Sequence, residues 1–594
     1  MSFFVDQPTT QQTTTTTTQL RKQHTSRTSM DSMPAELIEA FGQYLDGPSL
    51  YSSLRVSRFW FNALSSLIWS HISKTQWHRT GFPIRQVFDA YDDSPLRPKL
   101  LQVRHLEWAA NSDLKDVSAI TIRKEIARSR LVQLLRMAAN VRSLELQLSI
   151  TADELGLLQS IAGLRHLRRL RIEATGLDMF AIRLQDMNDT FANLESLESA
   201  GHWLQINLSS WERPEDAQQW RMERLSVGYY ALPILWHCEN LRELEIRIFE
   251  GFGFQRSEKR SLRPLQMCRN LQVLKIHRYS RQDTLLDLVE TIGSLRQLRS
   301  LSFSILDFSF FDLLCRPESI VPTEGDHRLQ GIKPEQQDET GHSSARPPDN
   351  DDNDDLPLPL LEDLTIISVD VGDNTFSAID RLSAQFFNIL RTRPLLKGFQ
   401  IQGFSFYPWD IFAQPERELD HGWACVGLET LKLQFRSLDP RKMNSKEKRY
   451  RIWRPIYRQL GQLTRLKSLM IQCWSLEKGT DVGILELALP LSSGTGTVSR
   501  QKQGRSKSVL NGPAAVTATD DALPSKLKAR LTELSNLYLS DSKGMTWSRT
   551  ELEILLALFP KLKDLNLRPL NPGNGKDIQK WLKEWKRTDL KFVY

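Results

Sequence analysis

The chain has 594 residues, 40% of them hydrophobic and 25% charged, with a formal net charge of +7. That balance suits a folded chain rather than a wholly disordered one, and so small a net charge over this length gives no argument for nucleic acid. The five cysteines include no C-x-x-C pair, which argues against a disulfide framework and against a zinc site. No apolar run of about 18 residues is present, and the first residues lack the order of charge, apolar core and cleavage site of a signal peptide. The composition therefore predicts a protein of the cytoplasm and/or nucleus, without a membrane partner.

Residues 1–30 are rich in Thr and Gln, with an unbroken Thr run from Thr13 to Thr18. They carry too little apolar surface to offset the entropy of ordering, and the sequence predicts disorder there. Residues 31–78 change character. Pro34 suits the first turn of a helix, and Leu37, Ile38, Phe41 and Leu45 follow at helical spacing. Asp46-Gly47-Pro48-Ser49 reads as a stop, a turn and a new N-cap. Leu50, Leu54, Trp60, Leu64, Leu67 and Trp69 continue as a second helical stretch, broken near Val56-Ser57. A block of about 40 residues rarely builds a sufficient core alone, so it should lean on a neighbouring domain or a partner.

Residues 79–100 read as a linker. From about residue 101 to 594 one pattern recurs: an apolar residue, another three on, another five on. Val141-Leu144-Leu146, Leu167-Leu170-Ile172, Leu241-Leu244-Ile246, Leu271-Leu274-Ile276, Leu396-Phe399-Ile401, Leu428-Leu431-Leu433 and Leu562-Leu565-Leu567 are clear cases. Val103, Leu194 and Met222 open weaker ones. First positions often lie about 26 to 30 residues apart, and helical patterns such as 386–396 and 552–562 precede many of the strands. Strand plus helix at this period resembles the leucine-rich repeat. One unit cannot cover its own apolar strand face, and stacking units does. The predicted fold class is α/β: a short helical block followed by a leucine-rich-repeat solenoid, a horseshoe with parallel strands on its concave face. The turn after each strand lacks the family's Asn or Cys, holding Ser149, Thr175, Phe249, Tyr279 and Arg436 among others. That predicts an irregular solenoid with units of varied length. Low-complexity segments at about 317–357 and 492–522 interrupt it and read as disordered insertions.

Residues 33–72 resemble the F-box. Met33-Pro34-Ala35-Glu36-Leu37 corresponds to its Leu-Pro-x-Glu-Leu opening, with Met for Leu. Tyr44-Leu45-Asp46, Leu50, Val56-Ser57-Arg58-Phe59-Trp60 and Ile68-Trp69 follow in the family's order and spacing, with Ser57 in place of the commoner Cys. The resemblance implies a substrate receptor of a Skp–cullin–F-box ubiquitin ligase, a non-catalytic subunit. A Skp-type adaptor, and through it a cullin–RING ligase, would be the partner. Carried over residue by residue, Pro34, Leu37, Ile38, Leu45, Leu50, Val56, Trp60 and Trp69 would form or support the adaptor contact. The bland alternative is a helical cap on the first repeat, within a leucine-rich-repeat scaffold that serves another assembly.

Residues between and after the repeat leucines should face the concave side: Glu145, Gln147, Arg171, Glu173, Glu245, Arg247, Lys275 and His277 early in the chain. Gln400, Gln402, Lys432, Gln434 and Gln472 form an amide cluster later on. Amides both donate and accept, so this face is the candidate surface for an unidentified protein target. No catalytic, cofactor or metal constellation emerges. Gly573-Asn574-Gly575-Lys576 lacks the earlier Gly and following Ser or Thr of a phosphate loop and reads as a surface turn. Asp351, Asn353, Asp355 and Glu362 have calcium-loop spacing, but Leu356 stands where Gly is needed.

Overall fold

The computed structural model describes residues 33–45, 47–72, 97–109, 129–148, 155–174, 180–182, 191–200, 204–206, 218–248, 260–278, 285–286, 288–307, 358–370, 376–403, 423–435, 459–473, 531–570 and 572–594. The Thr/Gln-rich start, most of the linker and both low-complexity insertions lie outside them. The chain divides into two compact units, one of residues 1–107 with 137–141, the other of 108–136 with 142–594. Residues 101–107, read as the start of the repeats, therefore group with the helical block.

Among the described residues the first unit holds the helices α1 (Ala35–Gly42), α2 (Gly47–Ser53) and α3 (Arg58–Ser70), followed by the short helix Arg97–Leu100. Helix α2 begins at Gly47, two residues before the N-cap anticipated at Ser49, because Gly47-Pro48 enter the helix as its first turn. Ser57 accepts the Trp60 N–H at 3.2 Å and caps α3, a role that a Cys at this position would fill poorly. Ile38, Trp60 and Leu64 form the core, with Leu50, Leu54, Ala63 and Leu67 packed against it. Gly42 is buried where α1 meets Leu64 and Leu67 of α3, and a Cβ there would run into both side chains. The Ser66 hydroxyl donates to Glu39 at 3.2 Å and adds a polar tie between the same helices. After α3 the chain extends as His71–Ile72, which pairs in parallel with His105–Leu106.

In the second unit the main strands pair in parallel and in chain order: Ser143–Leu148, Arg169–Ala174, Ser196–Ala200, Arg224–Gly228, Glu243–Ile248, Val273–Arg278, Ser300–Asp307, Asp363–Asp370, Gly398–Ile401, Thr430–Phe435, Ser468–Cys473, Asn536–Met545, Asp564–Leu570 and Lys591–Val593. Two short parallel pairs, Phe180–Ile182 with Leu204–Ile206 and Arg260–Ser261 with Leu285–Leu286, stand apart from them. The register places the middle leucine of every triplet in one column. Leu144, Leu170, Leu197, Leu225, Leu244, Leu274, Leu301, Leu364, Phe399, Leu431, Leu469, Leu537 and Leu565 lie side by side and all are buried. This is a leucine-rich-repeat arrangement, in which each strand's apolar face is covered by adjacent strands and by the segments between them, as where Phe386 meets Phe399 edge-on at 6.3 Å.

Successive units are tied by backbone at the start of the strands. The carbonyl just before most strands accepts two successive N–H groups from the next unit. Arg142 takes Arg168 and Arg169 at 2.8 and 3.0 Å, and Lys397 takes Glu429 and Thr430 at 2.7 and 3.0 Å. The same double bond recurs at Arg168, Glu195, Glu223, Arg242, Gln272, Arg299, Glu362, Glu429, Lys467 and Ser535. It needs no particular side chain, so units of different length still stack. The segments between strands vary accordingly, from α-helix (Phe376–Thr392, Arg549–Leu558) to 3-10 helix (Tyr229–His237, Arg263–Met267).

A second recurrent position lies three residues before the first leucine of a triplet and closes a turn onto it. Leu241, Leu271, Leu428, Leu466 and Leu562 each donate N–H to the residue three before. Cys238, Cys268 and Cys425 occupy this position and are buried. Burial holds the Cys268 and Cys425 thiols up to about 12, so these are packing residues and not nucleophiles. Gly573-Asn574-Gly575-Lys576, read as a surface turn, is instead the first turn of a helix, Pro572–Glu584. The Asn574 side chain accepts the Trp547 N–H at 2.8 Å and donates to the Trp547 carbonyl at 2.9 Å. Gly575 lies under the Tyr594 ring, which a Cβ would displace.

Candidate functional site

Two surfaces stand out, one on each unit. The first is apolar. Helix α1 buries Ile38 and Gly42 against α3, and turns Pro34, Leu37, Phe41 and Tyr44 outward at spacings of three and four residues, one helical stripe. Leu37 is 56% exposed, Phe41 53%, Tyr44 89% and Val56 61%. Met33, Phe59 and Phe61 add further exposed apolar surface. The Phe41 ring meets Trp60 edge-on, with centroids 6.4 Å apart. So much exposed aromatic and aliphatic surface on a small unit is unusual, because scattered single apolar residues are the norm.

The eight residues carried over from the F-box resemblance divide between surface and interior. Pro34, Leu37 and Val56 are exposed, Leu45 and Leu50 are half-buried, and Ile38, Trp60 and Trp69 are buried. The buried three can only support a contact. Trp69 is further covered by the Lys99 ammonium, 5.6 Å from its ring centroid. Phe41 and Tyr44 belong to the exposed stripe and were not among the eight. Their signal was the helical spacing from Pro34 and Leu37, which the resemblance alone does not weigh.

The second surface is the sheet face opposite the leucine column. Early in the unit most of its charges are paired, while Glu173 and Lys275 form no ion pair among the described residues. Arg171 lies 4.0 Å from Glu145 and 3.4 Å from Glu198, on the strands either side. Glu245 is 2.8 Å from Arg247 and 3.5 Å from His277. His277 is held below the usual imidazole value by burial, which outweighs the opposing pull of Glu245. Gln147 and Glu173 sit in register on this same face, and Lys275 is aligned with Glu245.

Later in the unit the face changes. Gln400 is aligned with Lys432, Lys432 with Met470, Met470 with Tyr538 and Tyr538 with Asn566. Two residues on, Gln434 is aligned with Gln472, Gln472 with Ser540 and Ser540 with Arg568. Gln402 follows the strand Gly398–Ile401 and is exposed, its N–H held by the Ile366 carbonyl at 2.8 Å. The five residues Gln400, Gln402, Lys432, Gln434 and Gln472 are thus brought together on neighbouring strands. Among the described residues their side chains make no hydrogen bond or ion pair. Met470, Tyr538, Asn566 and Arg568 extend the same patch.

A charged column borders this face at the start of the strands. Glu362 binds Arg299 at 2.9 Å and Lys397 at 2.6 Å, and Glu429 binds Lys467 at 2.7 Å. Lys397 and Arg299 hold the Glu362 carboxyl below its ordinary value, and Lys467 does the same for Glu429. These exposed pairs define the stacking edge and contribute little stability each. Glu362 therefore has a structural role, and the rest of the calcium-like run lies outside the described residues.

No protein-family model matches the chain, and no curated protein matches it in sequence. Among solved structures, a leucine-rich-repeat protein of Leptospira interrogans is similar at 13% identity and a TM-score of 0.31, over 84% of this chain and 97% of that one.

Proposed function

We propose that the chain is the substrate-recognition subunit of a Skp–cullin–F-box ubiquitin ligase, a non-catalytic receptor. Its helical block docks on a Skp-type adaptor, and its repeat sheet holds a target protein near the activated ubiquitin. The observation that carries this reading is the exposed stripe Pro34-Leu37-Phe41-Tyr44 with Val56, on a unit whose order of residues resembles the F-box. Large apolar anchors set in a partner's groove are the usual source of binding energy in such contacts, typically 2 kcal/mol or more for the strongest, order of magnitude. The chemistry of ubiquitin transfer belongs to other subunits, and this chain supplies proximity.

The test is co-purification with a Skp-type adaptor. The wild-type chain should bind, and Leu37→Asp with Val56→Asp should reduce binding by on the order of a hundredfold, since both lose apolar contact and bury charge. These two positions are preferable to Trp60, whose side chain is buried in the unit's own core and whose loss would unfold it. Failure of the wild-type chain to bind would leave the alternative, a leucine-rich-repeat scaffold whose helical block serves another assembly.

A further inference from the structure

We infer that the later half of the sheet face takes an extended acidic segment of the target, anchored by two carboxylates at Lys432 and Arg568. This deepens the proposed function and rests on its reading of the sheet as the target surface. The argument begins with charge. In the early strands the open-face acids Glu145, Glu198 and Glu245 are matched by Arg171 or Arg247 at 4.0 Å or less, and Glu173 stands on the same face, so acids are plentiful there. From Gly398 onward the two central rows hold Gln400, Lys432, Met470, Tyr538 and Asn566, then Gln434, Gln472, Ser540 and Arg568, with no acid in either. Lys432 and Arg568 thus lack a carboxylate partner among the described residues and have no acid in their own two rows, whereas Lys397 and Lys467 at the border each have one.

Geometry fixes the rest. The strands of Lys432 and Arg568 are separated by those of Met470 and Tyr538, and the two cations lie one row apart. Strand spacing and rise put their backbones about 16 Å apart, which an extended peptide covers in about four or five residues. Between them Gln434, Gln472 and Ser540 offer donors and acceptors that match a peptide backbone. Each cation stands singly, whereas phosphoryl groups are usually held by clusters of Arg, so carboxylates fit this face better than phosphate.

The test probes the full chain against an array of synthetic peptides of about 12 residues carrying two Glu at varied spacing. Matched peptides replace Glu with Gln or with phosphoserine. Wild-type binding should peak at a spacing of four or five, on the order of tenfold above the Gln peptides. Lys432→Gln with Arg568→Gln should abolish the peak, and Lys432→Glu with Arg568→Glu should move it to peptides with two Lys. Binding that ignores spacing, prefers phosphoserine, or survives the double Gln change would overturn the inference. Adaptor binding measured on the same preparations reads the proposed function separately, so failure of one is not mistaken for failure of the other.

Discussion

At the scale of single residues, Arg393 is the least expected occupant of the core. It stands three residues before Leu396, the position that Cys238, Cys268, Cys425, Leu463 and Phe559 fill elsewhere. It is 2% exposed, and its guanidinium donates to the Leu358 carbonyl at 2.8 Å. Leu358 holds the same position one unit earlier and has φ of 54°, a strained value for a branched side chain, where the chain returns from the first insertion. Arg393 therefore ties two equivalent turns together, doing by side chain what the leucine column does by packing. Arg393→Ala removes a charge-assisted bond and leaves a cavity, and should lower stability by about 2–4 kcal/mol. Arg393→Leu restores the volume common at this position but loses the charge-assisted bond, the Leu358 carbonyl keeping only the Leu361 N–H at 3.2 Å, and should cost about 1–3 kcal/mol. Urea unfolding of the three chains decides between tie and burden. A Leu variant as stable as wild type would mean that relief from burying the guanidinium cancels the lost bond.

At the scale of elements, the helix Pro572–Glu584 ends in a way that invites improvement. The Lys586 N–H bonds the Lys583 carbonyl at 3.1 Å and the Arg587 N–H bonds the Leu582 carbonyl at 3.0 Å, the paired bonds of a Schellman motif. Its left-handed residue is Lys586, with φ of 56°, where glycine is usual. Lys586→Gly should raise stability by about 0.5–1 kcal/mol, seen as a higher urea midpoint, because it removes the Cβ strain while keeping both bonds. A lower midpoint would show that the lysine chain contributes more by packing than the backbone loses by strain. Elements like these differ in how legible they are. The leucine triplets predicted the strands and their register because burial in a repeat has one solution per triplet. The last strand, Lys591–Val593, escaped because Asp589 occupies the place of the first leucine, although Phe592 falls in register with Leu565. In the helical block, apolar residues on several faces of α1 and α3 left open which would pack inward. Only packing shows that Ile38 and Trp60 turn in while Leu37 and Val56 turn out. The open sheet face was legible as positions but not as chemistry. The ion pairs that join Arg171 to Glu145 and Glu198 depend on which residues of different strands are aligned.

At the scale of the whole molecule, the two surfaces rest on different physics and belong to different compact units. The apolar stripe is held by a small three-helix core, and the amide face by a ladder of leucines and doubled backbone bonds that runs from unit to unit. A change of polar side chains on the open face touches neither the leucine column nor the ladder, and exposed polar substitutions usually move stability by less than about 0.5 kcal/mol. Replacing Gln400, Gln402, Gln434 and Gln472 together with Ala should therefore leave the chain folded and adaptor binding unchanged, while target capture falls. Leu37→Asp with Val56→Asp should produce the converse, loss of the adaptor with targets still held. Affinity capture from cells expressing each variant, with captured proteins and adaptor quantified side by side, separates the two functions. If the four-amide variant held the same targets as wild type, the sheet face between Gln400 and Gln472 would not be where targets bind. Recognition would then have to be sought on other surfaces of the repeat unit.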